Sequence, residues 1–500
     1  MTKFSIPKIT SVDGNTLIRW GFNPGPWFKE AIAAADRMAM ENHFKNEAWT
    51  ENEMRAVVKS YEPVKLVINE LQDPANVPYH RNIDAFTEFE KANLSKVDSN
   101  MSVLATVPIV RALAVMPDAC PTGGDSIPVG GVAIAEGGIV PGWHSADICC
   151  SVAISVFPSD TNPTALLDAG MAISHFGKGG RPHSVDMQPS QDLLNAFESN
   201  PYLGCMSGAA TKHYGTQGDG NHFYYVGRLE STGQIALVTH HGSRKPGAML
   251  YSAGIAVAER MSGPSNPLVN KHNLWIPYDS EEGEAYWEAL QVIRRWTKGN
   301  HFTIHDAVAK SIGARVKDRY WNEHNFVFKR EYGSRTYFAH AKGATPMYAG
   351  FANDNLGKAL IPLNMAEPIL ITQVNNDYDY GMDFRNNHAL GFAPHGAGRN
   401  FSRTEFGKSI EGKAKELIAQ TTNKYDIRSF SGKHDISEFP AAYKNAKQIQ
   451  EQINKFGLTT VIDLVQPIGC IMAGHDGTDW RALKKQKKER CERAEANTNR

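Results

Sequence analysis

The chain has 500 residues, with 53 Lys and Arg against 53 Asp and Glu, and 41% of its residues are hydrophobic. This is the composition of an ordinary globular protein, and it excludes a disordered chain, a collagen and a coiled coil. The zero formal net charge argues against a general polyanion binder, so any contact with nucleic acid must come from a local basic patch.

Cysteine content and the distribution of apolar residues predict the compartment. Six cysteines are too few for a disulfide scaffold, and we expect no disulfide between the adjacent Cys149 and Cys150. Residues 1–30 lack the basic start, apolar run and cleavage site of a secretory signal. No stretch approaches the roughly 18 apolar residues of a membrane span. We therefore expect a cytoplasmic protein with no membrane partner.

Hydrophobic spacing predicts the elements in chain order. A helix is predicted within residues 27–54, where apolar residues recur at helical spacing among good helix formers. Short apolar runs broken by glycine then predict buried strands joined by tight turns. These runs lie at 102–118, 127–142, 146–157, 227–244 and 359–374. Further helices are predicted at 282–296, at 404–421 and in the basic tail, 479–500.

The order of these elements predicts the domain organisation. Strands and helices are mixed along the whole chain, and we find no internal repeat, low-complexity linker or long hinge rich in Pro, Ser and Gly. We therefore predict one large α+β domain over residues 1–478 and a basic C-terminal tail over residues 479–500.

Five short segments place polar or metal-binding side chains beside glycines or at predicted strand ends. A single such histidine is usually a structural residue. Together, however, an Asp, a Cys and several His form a ligand set suited to Mn, Fe or Zn. No pair has the spacing of a helical metal motif or a zinc knuckle, so the ligands would converge from distant segments at the edge of a sheet. The segments are ADICC (Asp147, Cys149, Cys150), GDGNHF (Asp219, Asn221, His222), THHGSR (His240, His241, Arg244), NEHNF (His324, Asn325) and PHGAGR (His395, Arg399).

The segment PHGAGR has the features of a phosphate site. Gly396 and Gly398 allow the backbone to approach a ligand closely, and Arg399 can bind phosphate through two hydrogen bonds. His395 could then act as a nucleophile or as an acid or base. The basic stretch that follows is either part of this site or a solvated helix face. It contains Arg403, Lys408, Lys413 and Lys415.

Seven segments, taken in order between Met116 and Gly474, resemble the motifs of RtcB-type RNA ligases. The resemblance implies an RtcB-like α+β fold, with mixed and antiparallel sheets around a cleft for two metal ions. The segments are MPD, IPVGGVAI, GGIVPGWHSADICCSV, GTQGDGNHF, THHGSR, HAKGAT and PHGAGRNFSR.

The resemblance also implies an activity. The family joins an RNA 3′-phosphate or 2′,3′-cyclic phosphate to a 5′-hydroxyl in RNA repair or tRNA splicing, using GTP and Mn²⁺. His395 would carry GMP, Cys150 would bridge two Mn²⁺ ions, and an archease-like activator is a candidate partner. The implied metal ligands are Asp147, Cys150, His222, His240 and His324. The implied nucleotide-binding residues are Asn221, Lys342, His395, Gly396, Ala397, Gly398 and Arg399.

Several positions depart from the family pattern. Met472 and Ala473 precede Gly474, where the family has a Lys-Gly pair that contacts guanine, and Tyr225 stands where the family has an acid. Each lost contact to the base would cost on the order of 1 to 3 kcal/mol. The hypothesis is that metal binding and nucleotidyl transfer are retained, while guanine selectivity is relaxed, altered or supplied by other groups. The other departures are residues 362–366 (PLNMA in place of PGSMG), Ala341, Cys120, Ser145 and Ala146.

Two alternatives remain open from the sequence. A metal-dependent phosphoesterase acting on cyclic phosphates or nucleotides would need the five metal ligands but not His395. A non-catalytic RNA-binding protein would be favoured by loss of a ligand, and no ligand is lost. The basic tail is either a solubilising helix or a clamp for RNA.

Overall fold

The computed structural model describes residues 12–44, 50–62, 67–182, 186–348, 351, 357–374 and 384–475. The chain divides into two compact units, Met1–Ile68 and Asn69–Arg500. The predicted boundary between a domain of residues 1–478 and a basic tail lies outside the described residues. None of the helices in the described ranges combines the length and the apolar character needed to cross a membrane.

Twelve α-helices occur in the described ranges, and three of them form the first unit. They are α1 (Gly14–Arg19), α2 (Phe28–Phe44), α3 (Glu51–Lys59), α4 (Glu88–Ala105), α5 (Pro163–Ile173), α6 (Gln191–Ser199), α7 (Ser207–His213), α8 (Arg244–Ser262), α9 (Glu281–Ser311), α10 (Arg403–Ser409), α11 (Ala414–Thr422) and α12 (Ala446–Lys455).

The first unit is a small helical core. Leu17, Ala35 and Val58 are buried against one another at its centre. Helix α3 begins with a capping box, in which the Thr50 side chain accepts a hydrogen bond from the backbone N–H of Glu53 and the Glu53 carboxylate accepts one from Thr50. This cap satisfies N–H groups that the first turn leaves unpaired. The predicted helix within residues 27–54 is confirmed by α2, and the end of that range, from Glu51, belongs to α3.

Nineteen strands occur in the described ranges of the second unit. They are β1 (Tyr79–Arg81), β2 (Val110–Cys120), β3 (Val129–Glu136), β4 (Gly138–Ile139), β5 (Ser151–Phe157), β6 (His175–Phe176), β7 (Thr216–Gly218), β8 (Phe223–Leu229), β9 (Ile235–His241), β10 (Ile276–Pro277), β11 (Asp318–Glu323), β12 (Asn325–Tyr332), β13 (Arg335–Lys342), β14 (Ala344–Pro346), β15 (Lys358–Pro362), β16 (Ile369–Gln373), β17 (Phe392–Pro394), β18 (Asp426–Ser429) and β19 (Thr460–Met472).

Two sheets dominate the second unit. Within the described residues, one sheet has the order β1-β2-β3-β13-β12, and its only parallel pair is β1 with β2. The other has the order β11-β5-β9-β8-β19-β16-β15, with antiparallel neighbours along this path, and β18 is added parallel to β19. The predicted α+β class with mixed and antiparallel sheets is therefore confirmed.

Helices α8 and α9 lie in the largest apolar core of the second unit. Trp296 and Tyr286 of α9 are fully buried there, together with Leu250 of α8. The predicted helix at residues 282–296 is part of α9, which extends to Ser311. The predicted strands at 127–142 and 359–374 correspond to β3, β4, β15 and β16.

Two predicted boundaries are wrong. Residues 102–105 belong to the end of α4, whose buried Val97, Met101 and Leu104 lie on one helix face, and the following strand begins only at Val110. The helix predicted at 404–421 is two helices, α10 and α11. They are separated around Gly412, whose φ of 82° is a left-handed conformation that a helix does not accommodate.

Candidate metal centre and nucleotide cavity

Four adjacent strands bring the predicted metal ligands to one edge of the larger sheet. Cys150 immediately precedes β5, His240 is near the end of β9, His222 immediately precedes β8 and His324 follows β11. Because β11, β5, β9 and β8 are consecutive and antiparallel in the sheet, these four positions meet at the same edge. The expectation that the ligands converge at the edge of a sheet agrees with this arrangement.

A constrained loop sets the orientation of Asp147 and Cys150. Cys149 has a φ of 57°, which is unusual for a residue other than glycine. Its N–H donates to the Asn325 carbonyl at 2.6 Å, and the His324 N–H donates to the Cys150 carbonyl at 2.9 Å. The backbone thereby ties the Asp147–Cys150 loop to the segment that carries His324.

The ligand atoms form two groups that share one sulfur. Cys150 Sγ lies 3.1 Å from His240 Nε2, which lies 3.2 Å from His324 Nε2. On the other side, Cys150 Sγ lies 3.6 Å from His222 Nε2, which lies 3.1 Å from Asp147 Oδ2. In each group of three residues the ligand atoms are within 4.8 Å of one another. Cys150 therefore belongs to both groups.

His240 and His324 present unprotonated nitrogens to this cluster. Burial lowers the pKa of His240 to about 3 and lowers that of His324 well below its usual value. The Nδ1 of His240 hydrogen-bonds the Asn221 carbonyl at 3.1 Å as a donor, which leaves a lone pair on Nε2. The Nε2 lone pair of His240 is therefore directed toward the Cys150 thiol and His324.

The two acidic side chains of the cluster, the Asp147 carboxyl and the Cys150 thiol, favour a bound cation. Burial alone would raise the pKa of Asp147, but the His222 ring and Arg244 hold it below its usual range. Burial raises the pKa of the Cys150 thiol well above its usual value, so a nearby cation is needed to stabilise its thiolate. The donor set of one carboxylate, one sulfur and three imidazoles fits divalent transition metals.

His395 lies beside this cluster and is held by a buried carboxylate. Its Nδ1 is 2.5 Å from Asp118 Oδ2, and the same oxygen accepts the backbone N–H groups of His395 and Gly396 at 3.1 and 3.3 Å. Asp118 is fully buried. Donation from Nδ1 leaves a lone pair on Nε2. The His395 and His324 ring centroids are 4.9 Å apart, so the nucleophile candidate adjoins the metal ligands.

Gly398 allows the segment PHGAGR to lie close to Asp118 of β2. Gly398 has a φ of 72°, and a Cβ at this position would overlap the Asp118 carbonyl. The segment PHGAGR can therefore pack directly on β2.

A cavity of about 320 Å³ connects His395 with the ligand cluster. This is the volume of a small-molecule site. Lys342 donates to the Ile127 carbonyl at 3.0 Å, and burial lowers its pKa to about 8. Arg399 donates to the Ser437 carbonyl and to Glu438, so its guanidinium is already engaged within the wall. All seven predicted nucleotide-binding residues line the cavity: Asn221, Lys342, His395, Gly396, Ala397, Gly398 and Arg399.

A second, open groove of about 1380 Å³ shares Asp147, Asn221 and Arg403 with the cavity. Cationic side chains outnumber carboxylates among its described lining residues. The cations are Lys178, Lys212, Arg244, Lys245 and Arg403, and the carboxylates are Asp147, Asp219 and Asp435. The ligand cluster thus lies between the cavity that reaches His395 and a basic groove.

Some candidate residues have other roles. Cys149 is buried in the main apolar core, and the His241 ring stacks on His301 with centroids 3.4 Å apart. Arg244 donates to the Gly177 carbonyl at 2.9 Å. In the basic stretch, Arg403 pairs with Glu438. The three lysines lie on or next to α10 and α11, are exposed and line neither cavity: Lys408, Lys413 and Lys415.

A family model described as "tRNA-splicing ligase RtcB" matches residues 169–473. The chain belongs to the RtcB family. His222, His240, His324 and His395 lie inside the matched range, whereas Asp118, Asp147 and Cys150 precede it.

Curated relatives in the RtcB family are distant. The tRNA-splicing ligase RtcB of Aeropyrum pernix is 24% identical over 340 residues, covering 61% of this chain and 68% of that protein. The one from Thermococcus kodakarensis is 23% identical over 332 residues, covering 59% and 64%. The one from Pyrococcus abyssi is 24% identical over 290 residues, covering 51% and 31%. The matched regions therefore span from about a third to about two thirds of these relatives.

Sequence reasoning missed three residues of this RtcB site. Asp118 lies in the quoted MPD motif, but nothing in the motif indicated that its carboxylate holds His395. Glu438 and Tyr443 line the cavity and hydrogen-bond each other at 2.6 Å. They carry no metal-ligand or glycine signal that would single them out. The metal and nucleotide roles of the predicted residues stay predictions.

Proposed function

We propose that this protein is an RNA ligase that joins RNA 3′-phosphate or 2′,3′-cyclic phosphate ends to 5′-hydroxyl ends through a histidine-bound GMP. The observation that carries the proposal is the contact of His395 with the buried Asp118 beside the metal-ligand cluster. A phosphoesterase using the same ligands would have no need for an oriented imidazole at this position. The family membership and the two adjoining cavities support the same activity.

In the proposed first step, Nε2 of His395 attacks the α-phosphorus of GTP and pyrophosphate leaves. Asp118 accepts the Nδ1 proton in a hydrogen bond and stabilises the positive charge that develops on the ring. Lys342 and Asn221 position the phosphates. Asp147, Cys150, His222, His240 and His324 would hold two Mn²⁺ ions, which supply charge neutralisation at the phosphates when bound.

The following steps return the histidine to its starting state. An oxygen of the RNA 3′-phosphate attacks the GMP phosphorus, and the broken P–N bond leaves its electron pair on Nε2. The 5′-hydroxyl then attacks the activated 3′-phosphorus and GMP leaves. A 2′,3′-cyclic phosphate must first be opened by water to a 3′-phosphate.

The basic groove is the proposed site of the RNA ends. It adjoins the ligand cluster through Asp147 and Asn221, and its excess of cations attracts a phosphate backbone. Lys212→Ala and Lys245→Ala should weaken RNA binding and reduce its dependence on salt. Lys408→Ala, an exposed lysine outside the groove, is the matched control, and an equal effect of all three changes would contradict the assignment.

The direct test is adduct formation. Mn²⁺-loaded protein should form an acid-labile, alkali-stable adduct with α-labelled nucleotide, and the adduct should vanish in His395→Ala. The adduct should persist in the control His272→Ala, because His272 is a half-buried histidine that lines neither cavity. The adduct should transfer its nucleotide to RNA with a 3′-phosphate, and addition of 5′-hydroxyl RNA should yield the joined product. Absence of an adduct with every nucleoside triphosphate would refute the ligase. Hydrolysis of cyclic phosphate that persists in His395→Ala would identify a phosphoesterase instead.

Two finer parts of the proposal concern the cellular setting. A cytoplasmic location and an archease-like activator are proposed from the family resemblance. Addition of such an activator should increase the yield of ligated RNA per protein molecule, with no effect on His395→Ala.

A further inference from the structure

The wall of the nucleotide cavity away from His395 is apolar. Phe223 and Tyr225 of β8 pair with Met472 and Cys470 of β19, so these four side chains share one face of the sheet. All four line the cavity. Met365 packs in the same apolar cluster and also lines it.

This wall begins at the reacting end of the cavity. Phe223 is the strand partner of His240, and their ring centroids are 5.2 Å apart. Tyr225 is one pleat further along the same strand. A nucleotide whose α-phosphate meets His395 therefore has its base directed along the apolar wall, where rings and thioethers offer stacking contacts.

Two polar side chains near this wall have hydrogen-bond partners within the protein. The Tyr225 hydroxyl donates to the Val465 carbonyl at 3.0 Å. The Asn364 Oδ1 accepts the N–H of Ala366 at 2.9 Å. The NH₂ group of Asn364 can donate to N7, an acceptor that both purines offer.

Glu438 is the carboxylate of the cavity wall that could have accepted hydrogen bonds from guanine. Its Oε1 accepts two donors from Arg403, at 2.8 and 2.7 Å. Its Oε2 accepts Arg399 and the Tyr443 hydroxyl. A carboxylate has about four lone-pair positions, so this group is saturated.

We propose that the cavity recognises the base by shape and stacking, and that this protein uses ATP and GTP about equally. Guanine differs from adenine in its donors at N1 and N2, which need an acceptor, and in its acceptor at O6. The residues of the apolar wall carry no carboxylate, and the carboxylate of Glu438 is saturated. An apolar site discriminates weakly between molecules of one shape, whereas a site built to hydrogen-bond its substrate discriminates by several orders of magnitude. The inference rests on the proposed nucleotidyl transfer.

The test compares the nucleotides on the same Mn²⁺-loaded protein. Rates of adduct formation with α-labelled ATP and GTP should agree within about tenfold. Titration calorimetry with AMP and GMP should give dissociation constants that differ by no more than the same factor. A preference for GTP above roughly a hundredfold in both measurements would overturn the inference and leave the ligase intact. Failure of both nucleotides to form an adduct would instead refute the proposed function.

Variants test whether the apolar wall is the part that meets the base. Tyr225→Glu introduces an acceptor and should raise the GTP-to-ATP ratio at least tenfold, whereas Tyr225→Phe should leave the ratio unchanged. If the buried carboxylate prevents folding, Asn364→Asp supplies an acceptor at a half-buried position, with Asn364→Ala as its control. An unchanged ratio in a folded acidic variant would contradict the assignment of this wall to the base.

Discussion

Asp118→Asn tests the link between the buried carboxylate and the nucleophile. Asp118 Oδ2 accepts three N–H groups, of which the His395 Nδ1 is the closest at 2.5 Å. The asparagine oxygen can still accept both backbone N–H groups, so the main loss is the charge on the bond to the imidazole. The substitution therefore isolates the orientation and charge stabilisation of His395.

The expected loss follows from hydrogen-bond energies. A bond to a charged group contributes about 1.5 to 3 kcal/mol, against about 0.5 to 1.5 kcal/mol for a neutral one. A difference of about 1.4 kcal/mol corresponds to a tenfold change in rate. We expect at least a tenfold slower adduct formation, with a greater loss if the amide NH₂ faces Nδ1 and moves the ring proton to Nε2.

Single-turnover adduct formation measures this rate, and titration with GMP measures binding separately. Binding should stay within about twofold, because Asp118 is buried behind the ring and does not line the cavity. Asp125→Asn, the same chemical change at an exposed position in the following loop, is the control. An unchanged adduct rate in folded Asp118→Asn would refute the positioning role, as would equal losses in both variants.

Three further results are expected. Because Cys150 belongs to both ligand groups, Cys150→Ala should lower the Mn²⁺ content at both sites. The control Cys149→Ala should retain its Mn²⁺. Full Mn²⁺ content in Cys150→Ala after dialysis would exclude a bridging role for Cys150. Burial lowers the pKa of Lys342 to about 8, so its charge is lost as the pH rises through 8. Nucleotide affinity measured by calorimetry should fall between pH 7 and 9, and a fall equally steep in Lys342→Gln would contradict this. Gly398→Ala should lower the free energy of unfolding by about 1 kcal/mol or more, whereas Gly407→Ala, in a helix with open space around it, should raise it by about 0.5 to 1 kcal/mol. Denaturant unfolding measures both, and equal effects would contradict the steric argument.

The strands that carry the site could be predicted because their local patterns are strong. Runs such as residues 151–157 are mostly apolar and buried throughout, which fits strands covered on both faces. The ends of helices were harder to predict from the sequence. The start of α3 depends on the cap at Thr50, and the break between α10 and α11 depends on the conformation of Gly412.

The metal ligands could be named from residue type and motif, whereas their arrangement required the structure. Nothing in the spacing of Cys150, His222 and His240 shows that β5, β9 and β8 are neighbours in one sheet. The role of Asp118 could not be predicted from the sequence, because Asp118 lies within an apolar strand and contacts a residue 277 positions away. Long-range pairing of this kind leaves no local periodicity in the sequence.

The cavity has a ligand end at the metal-ligand cluster and a proposed base end at the apolar wall. The two ends depend on different features of the fold, and this explains which departures from the RtcB pattern the fold tolerates. The ligand end depends on strand register: a shift of one residue in β5 or β9 would turn Cys150 or His240 to the other face of the sheet. The base end depends on side chains alone, and Tyr225 or Met472 can replace another residue without moving the strands that carry them. Under the proposed function, replacements at the base end would change selectivity while the reacting end keeps its geometry. In this way a chain 24% identical to a relative can hold the five implied ligands and His395 together although Tyr225 and Met472 depart from the family pattern.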